Sequence, residues 1–312
     1  MSSMKPLYDN IKLNCTIVSD THLDTENPTP WVPQYLLRQA LSEAKSSKKT
    51  PDAFIVVGDT TSHGNDANWK LVRSCFADIK PAEHILLAVG NHDMWSDDGY
   101  DGAFECYKKY TELICGVRRS KPYFSQQING ISLIFLGSDS DAGCEASIGE
   151  KQLEWLRGEM KKAAESGEPI FVFCHQSLNQ KHGLPLTWEK EEKERPLNDG
   201  GVGEKSDEIE SILKQYNNVW YISGHSHMGL CGENCKRQNG YSSFEEDGGL
   251  HLVNLPSLCC RNHHGETSAV GMGVQLEVYA DRVLFRPRRF FTRSWNKKII
   301  IKDSKPYYEQ KL

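Results

Sequence analysis

The sequence predicts an α/β protein in which two packed sheets carry helices on their outer faces. Two observations predict it. Short apolar runs rich in Val, Ile and Phe alternate with amphipathic segments, the pattern of a layered α/β fold. Two hairpin signals stand outside that alternation. In chain order, Leu13–Val18 reads as a buried strand and residues 34–46, which follow a proline, as an amphipathic helix. Residues 53–57 and 85–89 read as two more strands. Residues 123–128 and 131–136 flank Asn129-Gly130, the strongest short hairpin signal. Residues 147–165 carry Ile148, Leu153, Leu156 and Met160 close to helical spacing, and residues 170–174 form a strand. Residues 206–216 open at Ser206 and place Ile209, Ile212 and Leu213 on one helical face. Residues 219–222 are a strand, and residues 274–279 and 282–286 form a second hairpin about Ala280-Asp281.

Composition narrows the classes. The 312 residues are 38% hydrophobic and 25% charged, which excludes disordered, collagen-like and coiled-coil chains and suffices for a core without disulfides or structural metal. A net charge of −5 gives no bulk electrostatic footprint for nucleic acid, so a nucleic-acid partner is not expected. The longest apolar runs, residues 85–89 and 170–174, are far short of the roughly 18 residues that span a bilayer. No membrane association is expected. The N-terminal stretch lacks the apolar core of a secretory signal, so a cytoplasmic location is expected, and with it ten reduced cysteines. Cys231-x-x-x-Cys235 and the adjacent Cys259-Cys260 do not have zinc-ribbon spacing. No linker composition divides the chain, so residues 1–312 are expected to form a single domain, with insertions at 181–205 and 229–249 near the substrate. Oligomeric state is not legible.

The chemistry sits at the strand ends. The first run ends in Ser19-Asp20-Thr21-His22, the second in Gly58-Asp59, the third in Gly90-Asn91-His92-Asp93, the strand at 170–174 in His175, and the strand at 219–222 in Ser223-Gly224-His225-Ser226-His227. Sites in α/β sheets form beyond the carboxyl ends of strands. Asp20 and His22, like His225 and His227, are two apart, so an extended backbone would point each pair to one side. The glycines before Asp59, Asn91 and His225 are expected to let the backbone approach a bound ion. Two carboxylates, one amide oxygen and four imidazoles exceed one tetrahedral site. They suit two ions sharing a bridging carboxylate, of the Mn, Fe or Zn kind.

This ordered set resembles the calcineurin-like metallophosphoesterase superfamily, and its motif order is similar to that of the class III cyclic-nucleotide phosphodiesterases. The resemblance runs from residue 20 to residue 227 and extends more loosely to residues 147–156, to Asn254-Leu255-Pro256-Ser257 and to the last hairpin. It implies a four-layer α/β/β/α sandwich of two mixed β-sheets flanked by helices. It implies one metal held by Asp20, His22, Asp59 and His227, a second held by Asp59, Asn91, His175 and His225, and Asp59 as the bridge. It implies that His92 faces the substrate, oriented by Asp93. Two divalent ions would activate a bridging hydroxide for in-line attack at phosphorus, Asn91 and His92 would meet charge on the equatorial oxygens, and His92 would protonate the leaving alkoxide as general acid.

The expected activity is hydrolysis of a small phosphoester, most simply a phosphodiester of nucleotide type. A phosphomonoesterase or 5′-nucleotidase, or a nucleotide pyrophosphatase, is the alternative; it would need further cations, for which Lys181 and Arg195 are candidates. A non-enzymatic scaffold is disfavoured because no ligand position is missing. Serine/threonine protein phosphatases of the superfamily carry Arg where this chain has His63, Asp where it has Ser62, and Glu where it has Asp93, which argues against that activity. His63 either contacts substrate or caps a turn. Trp95 and Trp188 are candidate stacking residues for a base. His84, His182, His251, His263 and His264 lack strand-end company and are expected on the surface or in loops, with His182 near enough on its insertion to reach the site.

Overall fold

The structure, a computed structural model, describes residues 10–186, 199–232, 241–260, 270–297 and 299–312. Two mixed sheets form its centre. The first contains β1 (Leu13–Val18), β2 (Ala53–Val56), β3 (His84–Leu87), β10 (Met272–Val278), β11 (Arg282–Arg289), β12 (Ser294–Trp295) and β13 (Tyr308–Lys311), in the order β12-β11-β10-β1-β2-β3 with β13 also on β11. The second contains β4 (Phe124–Ile128), β5 (Ile131–Phe135), β6 (Ile170–Phe173), β7 (Val219–Ser223), β8 (Phe244–Asp247) and β9 (Leu250–Asn254), in the order β4-β5-β6-β7-β9-β8. β1, β2 and β3 run parallel, as do β5, β6, β7 and β9. The remaining pairs are antiparallel.

The two-residue alternation of strand side chains builds the layers. In β2 and its extension, Ala53, Ile55 and Val57 enter a core shared with Phe171, Phe173 and Ile222 of the other sheet. Phe54 and Val56 face the opposite way, toward Leu37 and Leu41 of α1 (Trp31–Ser46), Trp69 and Val72 of α2 (Asp66–Phe76) and Tyr107 and Tyr110 of α3 (Gly99–Cys115). On the second sheet, Ile170 and Val172 face outward onto Leu153 and Leu156 of α4 (Glu150–Ala164) and Ile209 and Leu213 of α5 (Ser206–Leu213). The result is the four-layer α/β/β/α sandwich. No helix among the described residues is long and apolar enough to cross a membrane.

Local chemistry sets the element ends. Asn65 accepts the backbone N–H of Asn68 at 2.9 Å and caps α2. Asn129 and Gly130 both take positive φ, 52° and 84°, as a tight I′ hairpin turn requires. Two helices escape the sequence reading. α2 is short and polar in its first turn, and α3 buries a stripe of Ala103, Tyr107 and Tyr110 behind two early glycines. Part of the expected insertion at 229–249 is β8, an edge strand paired with β9.

Several local expectations are corrected. His182 and His251 are buried, at 2% and 5% exposure. His182 Nδ1 lies 2.7 Å from the Ser242 carbonyl, so its ring is engaged at the β8 edge, while His251 stacks on Trp220 with ring centroids 4.2 Å apart. Cys231 is disulfide-bonded. This overturns the expectation of reduced thiols throughout.

Two glycines test the packing. A Cβ on Gly224 would lie 1.9 Å from Ser19 Oγ and 2.7 Å from Asp20 Oδ2, whereas one on Gly158, inside α4, would meet nothing within 4 Å. Gly224→Ala is expected to lower the urea-unfolding free energy by about 1–3 kcal/mol or more, and Gly158→Ala to raise it by about 0.5–1 kcal/mol. Equal effects of the two substitutions would contradict this packing.

Candidate metal centre

The loops leaving β1, β2, β3, β6 and β7 meet at one end of the two sheets. Backbone hydrogen bonds tie the first two together: Asp20 N–H donates to Gly58 O at 3.2 Å, and His22 N–H to Asp59 O at 2.9 Å. Five of the seven residues expected to hold metal take positive φ: Asp20 (57°), His22 (42°), Asp59 (48°), His225 (67°) and His227 (46°). The extended i, i+2 arrangement expected for Asp20/His22 and His225/His227 is therefore corrected. Each pair is aimed by left-handed turns. Such conformations cost of order 1–3 kcal/mol each away from glycine and cluster at functional sites.

The glycines serve the neighbouring side chains rather than an ion. A Cβ on Gly58 would sit 2.5 Å from the His175 ring, and one on Gly90 would sit 2.2 Å from Asp59 N and Oδ1. At both positions a missing side chain makes room for the next predicted ligand.

One ligand atom from each of Asp20, His22, Asp59 and His227 lies within 4.8 Å of the others, and the same holds for Asp59, His175 and His225. Asp59 belongs to both groups. His175 Nε2 is 2.9 Å from Asp59 Oδ2, His22 Nε2 is 3.4 Å from the same oxygen, and His227 Nε2 is 3.1 Å from Asp20 Oδ1. His22 Nε2 and His227 Nε2 approach to 3.0 Å. His175 Nδ1 is held by the Val57 carbonyl at 2.8 Å, which turns Nε2 toward the carboxylates.

The electrostatics of this cluster call for positive charge. Asp20 and Asp59 are 0% and 1% exposed. Burial raises both carboxyls, but the His227, His22 and His175 imidazoles outweigh it and hold Asp20 well below the usual carboxylate range. For Asp59, His175, His92 and His22 have the same effect. Burial lowers His175, yet Asp59 and Asp20 raise it to about 9. Burial, with the neighbouring imidazoles, lowers His22 and, more strongly, His225 against the pull of Asp20 and Asp59. Asp20 Oδ1 and Asn91 Oδ1 are buried and form no hydrogen bond. Converging imidazole nitrogens, two charged carboxylates and unsatisfied buried oxygens fit metal cations of nitrogen/oxygen preference.

The residues expected to act on substrate lie beside this cluster. His92 is half-buried, its ring centroid 4.7 Å from that of His22, and its backbone N–H donates to Asp59 Oδ1 at 3.0 Å. The expectation that Asp93 orients His92 is corrected. His92 Nδ1 lies 2.9 Å from the Ser62 carbonyl. Asp93 turns the other way, accepting the backbone N–H groups of Thr60 (3.2 Å), Thr61 (2.9 Å) and Gly90 (3.0 Å). Successive residues in a short helical turn point apart. Asp93 thus braces the loops after β2 and β3. Burial and the nearby Asp59 charge push its carboxyl up to about 6.

His63 takes part in a turn, the second of the two roles left open for it. Its carbonyl accepts from Asn65 N–H at 2.8 Å and Asn68 Nδ2 at 3.3 Å in the turn entering α2, and its ring lies 5.1 Å from Trp95. Trp95 is 56% exposed and 5.6 Å from the His92 ring. Trp188, Arg195, His263 and His264 lie outside the described residues. The sequence reading missed the Ser62 carbonyl, which carries no side-chain signal, and Cys260, whose sulfur lies within 4.8 Å of ligand nitrogens of His22 and His227.

Comparison with known proteins places this geometry. The pattern of the calcineurin-like phosphoesterase family matches residues 13–229. The chain is 26% identical over 156 residues to a probable cyclic nucleotide phosphodiesterase from Psychrobacter sp. (strain PRwf-1); the alignment covers 49% of this chain and 44% of that protein, so it spans less than half of that relative's length. A dimetal phosphatase from Danio rerio has the same fold, with a TM-score of 0.58 at 12% identity, covering 90% of this chain and 97% of that one. The family match takes in well over half of the chain: this protein belongs to the calcineurin-like phosphoesterase family.

Proposed function

We propose that the protein hydrolyses phosphodiesters of small, nucleotide-type substrates at a dinuclear metal centre of Mn, Fe or Zn ions. Asp20, His22, Asp59 and His227 would hold one ion and Asp59, Asn91, His175 and His225 the other. The observation that carries this reading is that Asp59 is shared between two groups of converging ligand atoms. Two divalent ions bound there supply Lewis-acid charge and activate water for attack at phosphorus. Asp20 and Asp59 return only two of the four positive charges, so the pocket attracts an anionic ester without a basic surface. Residues 1–312 would act as one domain, since β13, near the C-terminus, pairs with β11 in the sheet that begins with β1.

The chain's own groups divide the remaining work. A carbonyl only accepts, so the contact with Ser62 makes His92 Nδ1 a donor. In the doubly protonated ring Nε2 would then deliver a proton to the departing alkoxide, leaving the neutral ring with its proton on Nδ1. The Asn91 amide meets charge on the phosphoryl oxygens. Trp95, with His63 against it, offers an exposed ring on which a base can stack.

Diesters are favoured over monoesters because Lys181, one of the two cations suggested for a dianion, is engaged elsewhere; the other, Arg195, lies outside the described residues. Lys181 Nζ is paired with Asp247 and, at 3.3 Å, with Glu210. The resemblance to a probable cyclic nucleotide phosphodiesterase over part of the chain supports a nucleotide substrate.

Manganese-reconstituted protein is expected to contain about two ions per chain and to cleave bis(p-nitrophenyl) phosphate at higher kcat/KM than p-nitrophenyl phosphate, with activity lost to a chelator and restored by metal. A reversed preference would replace the diester reading with a monoesterase. His92→Ala is expected to keep its metal and to lose about 10²–10⁴ in kcat on alkyl diesters, with a smaller loss on nitrophenyl esters, whose leaving group needs no proton. Equal losses on both would remove His92 from the general-acid role.

A further inference from the structure

One side chain at the centre does not belong to the nitrogen/oxygen set. Cys260 Sγ, His22 and His227 ligand nitrogens all lie within 4.8 Å of one another, and Cys260 is not in a disulfide. We infer that Cys260 is a further, thiolate ligand to the cation held by His22 and His227, so that this half of the centre prefers a thiophilic ion such as Zn²⁺ while the half built by His175 and His225 does not. The inference rests on the dinuclear reading above.

The thiol's position is built in from the backbone up. The segment after β9 is fixed to the loop that carries Asp20: Leu258 N–H donates to Ser19 O at 2.9 Å and Cys259 N–H to Asp20 O at 3.3 Å. Ser257 Oγ donates to Asp20 O at 3.1 Å and in turn accepts Cys260 N–H at 2.9 Å. Cys260 is therefore tied to Asp20 through one serine hydroxyl. The neighbouring Cys259 goes the other way, its Sγ 3.6 Å from the Pro33 carbonyl against the α1 layer. Only the second cysteine of the pair reaches the imidazoles.

A second observation points to a cation on the same side. Asp20 Oδ1 is fully buried, forms no hydrogen bond, and lies 3.1 Å from His227 Nε2 and 3.9 Å from His22 Nε2. Two imidazoles and a thiol converge in one group, and the same two imidazoles meet Asp20 and Asp59 in another; nitrogen and sulfur donors of this kind are ones that zinc takes. Thiolate is a soft ligand and favours Zn²⁺ over Mn²⁺. Coordination would form the sulfur–metal bond with release of the thiol proton to solvent. The two halves of the centre would then differ in softness, and zinc would load one half selectively.

Cobalt(II) titrated into the metal-free full-length chain tests this with a spectroscopic readout. Wild type is expected to bind about two ions and to show a near-ultraviolet sulfur-to-cobalt charge-transfer band. Cys260→Ser should bind the same number of ions without the band, and Cys259→Ala should keep it. In competition, Cys260→Ser is expected to reduce the preference for zinc over manganese by about tenfold or more, the scale on which changes around a ligand shell alter affinity. Two bound cobalt ions with no charge-transfer band in wild type, or a band that survives Cys260→Ser, would overturn the inference and leave the dinuclear reading standing. No bound cobalt in wild type would overturn both.

Discussion

Two carboxylates with almost no access to water set the terms for this molecule. Asp20 and Asp59 are buried at the meeting point of two sheets, and a buried anion without a partner costs several kcal/mol. Four imidazoles crowd around them. Imidazoles alone are an incomplete answer, since a proton on one ring disfavours a proton on the next. His175 is pushed up while His22 and His225 are pushed down. Cations that take all the rings as neutral donors satisfy both carboxylates and leave no ring in competition. The left-handed turns at Asp20, His22, Asp59, His225 and His227 are strain that such binding would offset.

The scaffold holds this arrangement with few parts. Parallel strands bring their carboxyl ends to one edge, so loops far apart in sequence meet. Asp93 gathers three backbone N–H groups from two of those loops. Asn254, at the end of β9, donates to the Gly224 carbonyl at 2.9 Å and accepts from Ser226 Oγ at 2.8 Å, which fixes the turn carrying His225 and His227. Ser257 does the same for the loop at Asp20. This end of the molecule is thus a set of loops bound to one another, with His175, Asp59 and Asp20 filling space left by Gly58, Gly90 and Gly224.

The sequence made β1–β7, β10 and β11 and the six clustered Asp and His side chains legible for one physical reason. Buried parallel strands are short apolar runs, and a polar cluster that follows such a run has only the sheet's edge to occupy. β1 is read to the residue, and the Asn129-Gly130 turn was legible from its own chemistry. Where a role depends on backbone direction, the sequence is silent. Asp93 stands next to His92 in the chain yet points away from it, and the group that holds His92 is a main-chain carbonyl. His182 and His251 looked like loop residues because single buried histidines leave no periodic trace. Cys260 was set aside for lacking zinc-ribbon spacing, although it follows the end of β9 as the other ligands follow their strands.

A shared Asp59 would join two cations into one unit, which electron paramagnetic resonance of manganese-loaded protein reads as coupling between the ions. Wild type is expected to show the multiline spectrum of an exchange-coupled manganese pair, replaced by isolated-ion signals in Asp59→Ala. Isolated six-line manganese signals in wild type at full loading would contradict it.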